Sequence, residues 1–295
     1  MEIFRKFSLF TAIAVAVTLG GTLSSCNNDN EDDNYTRHTL SNSFGCVTSI
    51  GTQTQTISSS MTYVVTFNYS TGKATVEITG LEMPDGTKYP SILLEEMTWK
   101  MKDGWRTIEA SAPKSSISGF AQAPIFENVS IGLLDRIYNN AYIPAFYVKA
   151  RVNTQYSLFS ALNQQVFFGK TETVDPEGRV VTTRSTGYSF IINPRTMPLT
   201  ATIGVARSKF VINMPAQDLL FLDVPCTLNG NGTLTFEAES LIPTQNKVPN
   251  TNFPISDLEG VYDFMSGLDM DFDCTAFGKK YSVTADLDYV SSPDE

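Results

Sequence analysis

Apolar and polar residues alternate in short runs along most of the chain, and turn residues interrupt them about every 8–12 positions, the pattern of a sandwich or a closed barrel. Met61 to Tyr69 is rich in β-branched and aromatic residues, and after the turn Ser70-Thr71-Gly72-Lys73 the run from Ala74 to Gly80 puts Ala74, Val76 and Ile78 on one face. Asp103-Gly104 marks a tight hairpin, and Asn229-Gly230-Asn231-Gly232 takes the matching place later in the chain. Asp175-Pro176-Glu177-Gly178 closes another hairpin, between Lys170–Thr173 and Arg179–Thr182. Asn153-Thr154 separates a strand from Phe146 to Val152 and one from Gln155 to Ala161.

These runs occur twice. Phe44-Gly45 recurs as Phe168-Gly169, Tyr63 and Asn68 as Tyr188 and Asn193, and Pro90 as Pro215. Glu109-Ala110 recurs as Glu237-Ala238, and Tyr156-Ser157 as Tyr281-Ser282. The collinear order at a nearly constant offset points to a duplicated unit. The fold class expected is all-β: two tandem homologous β-sandwich or barrel-like domains, at 40–160 and 161–291. One short helix is expected in each. Ser256-Asp257-Leu258-Glu259 reads as a capping box, and Leu258, Val261, Tyr262 and Met265 follow at i, i+3, i+4 and i+7. Leu133, Leu134, Ile137 and Tyr138 read the same way in the first half.

The front of the chain carries a different signal. Arg5 and Lys6 precede an apolar run, Phe7 to Leu19, that is too short for a transmembrane helix of roughly 20 residues. It leads into Leu23-Ser24-Ser25-Cys26, which resembles the lipobox of bacterial lipoproteins. The resemblance implies a signal peptide at 1–25 and an acylated N-terminal Cys26; several acyl chains hold where one alone is marginal. The segment 26–39 reads as an acidic, solvated tether. Its Asn27-Asn28-Asp29-Asn30-Glu31-Asp32-Asp33-Asn34 resembles the export signal of Bacteroidetes-type surface lipoproteins. That resemblance implies the outer membrane, with display at the cell surface; a plain spacer on a protein facing the periplasm is the alternative.

Composition narrows the partners. The chain of 295 residues carries 21 basic and 31 acidic side chains, a net charge of −10. Nucleic acid, which needs a concentrated basic face, is disfavoured. His38 is the one histidine, which leaves no room for a histidine metal site or a His-paired nucleophile within a domain. Phosphate-binding, dinucleotide, nucleophile-elbow, HExxH and CxxC motifs are all absent from the sequence. The chain is therefore not expected to be an enzyme, and no cofactor is called for.

Three features could carry chemistry. Cys46, Cys226 and Cys274 remain after lipidation; a Cys226–Cys274 bond is open to an exported chain, but buried free thiols packed as small hydrophobes are the expectation. In Leu268-Asp269-Met270-Asp271-Phe272-Asp273 the period of two puts the aspartates on one strand face. On the partner strand Ser282 would face Asp273, Thr284 would face Asp271, and Asp286 would face Asp269. Carboxylates so placed raise Ca²⁺ as a candidate, against a plain solvated acidic face. In the Asp103-Gly104 hairpin, Trp99 falls on the core side, whereas Trp105 falls with Lys100 and Lys102 on the polar side. An exposed indole there would suit a sugar ring or a protein contact; covered by its neighbours, it would be structural.

The function expected is display: a lipid-anchored cell-envelope protein that binds or adheres, with a glycan or a protein as ligand. Two rivals are a structural subunit broadly resembling fimbrillin-type pilins, which polymerise by strand donation, and a lipocalin-like carrier with an apolar cavity.

Overall fold

The computed structural model describes residues 34–291 apart from 53, 119–121, 139–140, 197 and 211–213. The leader, Cys26 and the run Asn27–Asp33 lie outside the described residues. Two compact units divide the chain between Asn163 and Gln164. The first contains β1 (Tyr35–Ser49), β2 (Gln55–Asn68), β3 (Lys73–Glu82), β4 (Lys88–Lys102), β5 (Trp105–Ala110), β6 (Lys114–Ser116), β7 (Phe126–Leu134), β8 (Ile137–Tyr138), β9 (Ala141–Tyr142), β10 (Ala145–Val152) and β11 (Tyr156–Leu162). The second contains β12 (Gln164–Val174), β13 (Val180–Thr183), β14 (Gly187–Asn193), β15 (Thr200–Ser208), β16 (Gln217–Leu228), β17 (Thr233–Leu241), β18 (Thr244–Gln245), β19 (Val248–Pro249), β20 (Ile255–Asp263), β21 (Gly267–Ala276) and β22 (Lys279–Asp288).

Each unit is a sheet of eight antiparallel strands closed on itself. In the first the circuit is β1-β2-β3-β4-β5-β7-β10-β11, and β11 returns to β1 through pairs from Ser43↔Leu162 to Ser49↔Tyr156. In the second it is β12-β14-β15-β16-β17-β20-β21-β22, closed by pairs from Phe168↔Asp288 to Val174↔Ser282. Short strands decorate both: β6 adds to β4, β18 to β16 and β13 to β12. Most recurring residues sit on equivalent strands, with Phe44-Gly45 and Phe168-Gly169 on β1 and β12, and Tyr156 and Tyr281 at or near the start of β11 and β22; Pro90 lies on β4, whereas Pro215 falls just ahead of β16.

Side chains fill both interiors. Tyr63, Phe67, Phe126 and Phe146 are fully buried in the first barrel, with Tyr63 and Phe146 centred 5.0 Å apart. In the second, Phe167, Tyr188, Phe190, Phe221 and Tyr262 are fully buried, and Phe190 lies 5.0 Å from Tyr262. Large aromatic side chains give such small barrels their core, each contributing roughly 1.5–3 kcal/mol by burial. The buried phenols find partners: the Tyr188 hydroxyl lies 3.1 Å from Thr171 Oγ1, and that of Tyr289 lies 3.1 Å from Tyr262. Burial pushes the Tyr63, Tyr188 and Tyr262 phenols upward in pKa, so they stay neutral.

Neither expected helix forms; the described residues contain strands and turns only. The segment read as a helix at Ser256–Met265 is β20 with a bulge at Asp257, whose φ is 52°. The extra residue stretches the inward spacing from two to three between Ile255 and Leu258, and two ordinary strand steps then lead from Leu258 to Tyr262. Three followed by four mimics helical periodicity, yet Val261 and Met265 face solvent. In the first half, Leu133 and Leu134 end β7 on opposite faces, both buried, and Ile137 lies exposed on the small β8–β9 hairpin. The first strand also begins at Tyr35, inside the segment read as tether.

Candidate ligand-binding site

Trp105 lies on the outer face of its hairpin, as the Lys102↔Trp105 register requires, but it is only 9% exposed. Its indole stands 5.5 Å from the Tyr147 ring, and both rings occupy the space left by Gly132: a Cβ there would come within 2.9 Å of Trp105 Cε3. The indole is therefore packing, not an open platform, while Lys102 is exposed beside it and Lys100 pairs with Glu109 at 3.5 Å. Trp99 is half-buried on the core side, donating its indole N–H to the Asn68 carbonyl at 3.2 Å.

The aspartate face has the expected register: Asp269↔Asp286, Asp271↔Thr284 and Asp273↔Ser282. Hydroxyls and a lysine supply its counter-groups. Ser282 donates to Asp273 at 2.5 Å, Thr284 donates to Asp271 at 2.6 Å, and Lys280 Nζ is 2.6 Å from Asp273. Partial burial and then the facing Asp286 raise the Asp269 pKa. The Asp273 pKa is lowered: burial opposes ionisation there, but the Lys280 and Ser282 hydrogen bonds outweigh it. Among the described residues no group of three or more His, Cys, Asp or Glu side chains is placed to hold a metal ion.

Cys46, Cys226 and Cys274 are buried free thiols. Burial pushes their pKa up to about 11 for Cys46 and about 12 for the other two, so none is a thiolate at neutral pH. His38 is buried at one end of the first barrel, 3.7 Å from Asp135, and burial lowers its pKa. Asp135 also accepts from Arg106 and, at 2.5 Å, from the Tyr142 hydroxyl. The Arg106 guanidinium lies over the Phe67 ring, 5.6 Å from its centre. This cluster closes the barrel end with internally matched charges.

A concave surface occurs at the far end of the last hairpin. An open cleft of 520 Å³ runs between Thr251-Asn252-Phe253-Pro254, ahead of β20, and Thr275, Phe277 and Gly278, where β21 turns into β22. Ala276↔Lys279 closes the turn around Phe277 and Gly278, whose φ angles of 54° and 72° are both left-handed. Glycine adopts that conformation freely; phenylalanine pays about 1–2 kcal/mol for it. Phe277 is nevertheless 69% exposed. It stands edge-on to Phe253 at 6.2 Å, and Phe253 continues to the buried Phe210 at 5.8 Å. The Thr275 N–H donates to the Pro254 carbonyl at 2.9 Å and ties the loop to the hairpin.

The available sequence signal for this site was a Phe-Gly pair at the centre of a two-residue hairpin, where Asn-Gly is the usual choice.

No family model, no curated protein and no solved structure matches the chain.

Proposed function

We propose that this protein is a lipid-anchored binding or adhesion protein of the cell envelope, displayed at the outer surface, and that the cleft under Phe277 is its contact site. The observation that carries the reading is an exposed aromatic side chain, held in a costly backbone conformation at the rim of a 520 Å³ cleft. Backbone strain held at a largely exposed side chain recurs at binding and contact sites. A volume within ~300–1,000 Å³ is the usual size of a small-ligand site. Cys26 supplies the anchor in this reading, and the acidic run after it supplies reach.

The rival readings find less support. Strand donation needs a long unpaired sheet edge, and each of the eight circuit strands has a partner on both sides. A carrier of apolar ligands needs an empty interior, and rings such as Tyr63, Phe146, Phe190 and Tyr262 occupy these.

The test uses the full acylated chain in vesicles, screened against glycan and protein arrays beside a Phe277→Ala variant. Binding that falls at least tenfold in the variant is the expected result. Binding indifferent to the substitution, or none on either array, overturns the reading. Incorporation of labelled palmitate, lost in Cys26→Ala, tests the anchor separately.

A further inference from the structure

We infer that the occupant of the Phe277 cleft is an uncharged saccharide, stacked by the C–H face of one ring on Phe277; this rests on the cleft being the binding site. The lining chooses the chemistry. None of the described residues that line the cleft ionises, and the cations beside the turn are paired: Lys279 with Glu177 at 2.6 Å, Lys280 with Asp273 at 2.6 Å and Asp257 at 3.3 Å. A charged ligand would lose hydration and gain no free counter-charge.

Thr251, Asn252 and Thr275 line the same space. An acyl chain seated among them would leave hydroxyl and amide groups without partners, at about 1–3 kcal/mol for each one desolvated. An extended peptide would find no backbone to pair with, because β21 is already bonded to β20 and β22 along its length. A sugar ring satisfies both surfaces: an apolar face for Phe277 and hydroxyls for the threonines and the asparagine. The Phe253 and Phe210 rings behind Phe277 fix the platform in advance, which lowers the ordering cost of binding. One ring and a few hydrogen bonds make a weak site, with Kd on the order of 0.1–1 mM.

The experiment is saturation-transfer NMR with titration of the detergent-solubilised full chain. The probes are glucose, galactose, mannose and N-acetylglucosamine with their disaccharides, beside glucuronic acid, decanoate and a phenylalanyl tripeptide. The expected result is transfer to the ring protons of one face of a neutral sugar. Kd should rise at least tenfold in Phe277→Ala, little in Phe277→Tyr and severalfold in Asn252→Ala. Phe277→Asn, which suits the turn, separates loss of the ring from loss of the hairpin and should also abolish transfer. Saturation of glucuronic acid, decanoate or the tripeptide in place of neutral sugars overturns the inference. If no sugar binds while Phe277→Ala still abolishes array binding to a protein, the inference fails and the contact site stands. If a sugar binds equally well to Phe277→Ala, both fall.

Discussion

The last hairpin of the first barrel and the last hairpin of the second hold the same place in one topology and end differently. Aligned on Tyr156 and Tyr281, the first turns over at Asn153-Thr154-Gln155 directly after Val152↔Tyr156. The second runs on through Thr275↔Lys280 and Ala276↔Lys279 before it turns at Phe277-Gly278. Asn153 suits its left-handed φ of 48° and points back into the fold, its Oδ1 accepting from the Ile125 N–H at 2.8 Å. Phe277 makes no such return and presents a ring to solvent. One turn is spent on closing the barrel end, while the other is held away from it with a cleft beneath. Under the proposed function, two copies of one architecture would be divided between support and contact by the length and tip residue of a single hairpin.

Swapping the hairpin ends is the most forceful way to break this contrast. Replacing Thr275–Lys280 with Asn-Thr-Gln should remove ligand binding altogether, a loss beyond 100-fold by titration, and leave the second barrel folded by circular dichroism. Asn153→Gly keeps the turn geometry and deletes the acceptor for Ile125; urea melts should show a loss of about 0.5–1.5 kcal/mol. Phe277→Asn should act in the opposite direction, stabilising by about 0.5–1 kcal/mol because asparagine takes the left-handed position more cheaply. If Phe277→Asn destabilises instead, the ring is packing and the contrast fails.

The smallest effect concerns the strand flanks, where Asp269 and Asp286 occupy the places of Tyr147 and Ala161. A carboxyl whose folded pKa is raised binds its proton more tightly in the folded state. Its contribution to stability is therefore largest below the unfolded value near 4 and falls as pH rises through the folded value. Asp286→Asn should accordingly stabilise by about 0.3 kcal/mol at pH 7, after discount for solvent screening at this exposed pair. The gain should vanish by about pH 3.5 in melts across the range. Asp273, held low by Lys280 and Ser282, works in the opposite sense and loses its contribution as pH falls.

Local periodicity carried much of this in the sequence. The strand runs, the Asp103-Gly104 register and the facing of Asp269, Asp271 and Asp273 follow from a period of two, which depends on neighbours alone. Barrel closure was not written there, because the pairing of β1 with β11 joins Ser43 to Leu162 across the whole unit. The bulges hid as well. Asp257 in β20 and Asn128 in β7 insert a residue at matching places, with φ of 52° and 51°, and in β20 the inserted step gives a strand helical spacing. The covering of Trp105 depends on Gly132 and Tyr147, which lie on other strands. Phe277 was legible only as an odd choice of turn residue, since a cleft needs the loop before β20 as its second wall.

Circular pairing also sets the order of events at biogenesis. The opening strand of each unit, β1 or β12, stays half-bonded until the closing strand, β11 or β22, arrives to lie beside it. A chain emerging N-terminus first can therefore complete its first barrel once Leu162 is out, while the second is still arriving. Long-range closure of this kind is slow in general, so the closing seam of each barrel is expected to be the last pairing to form.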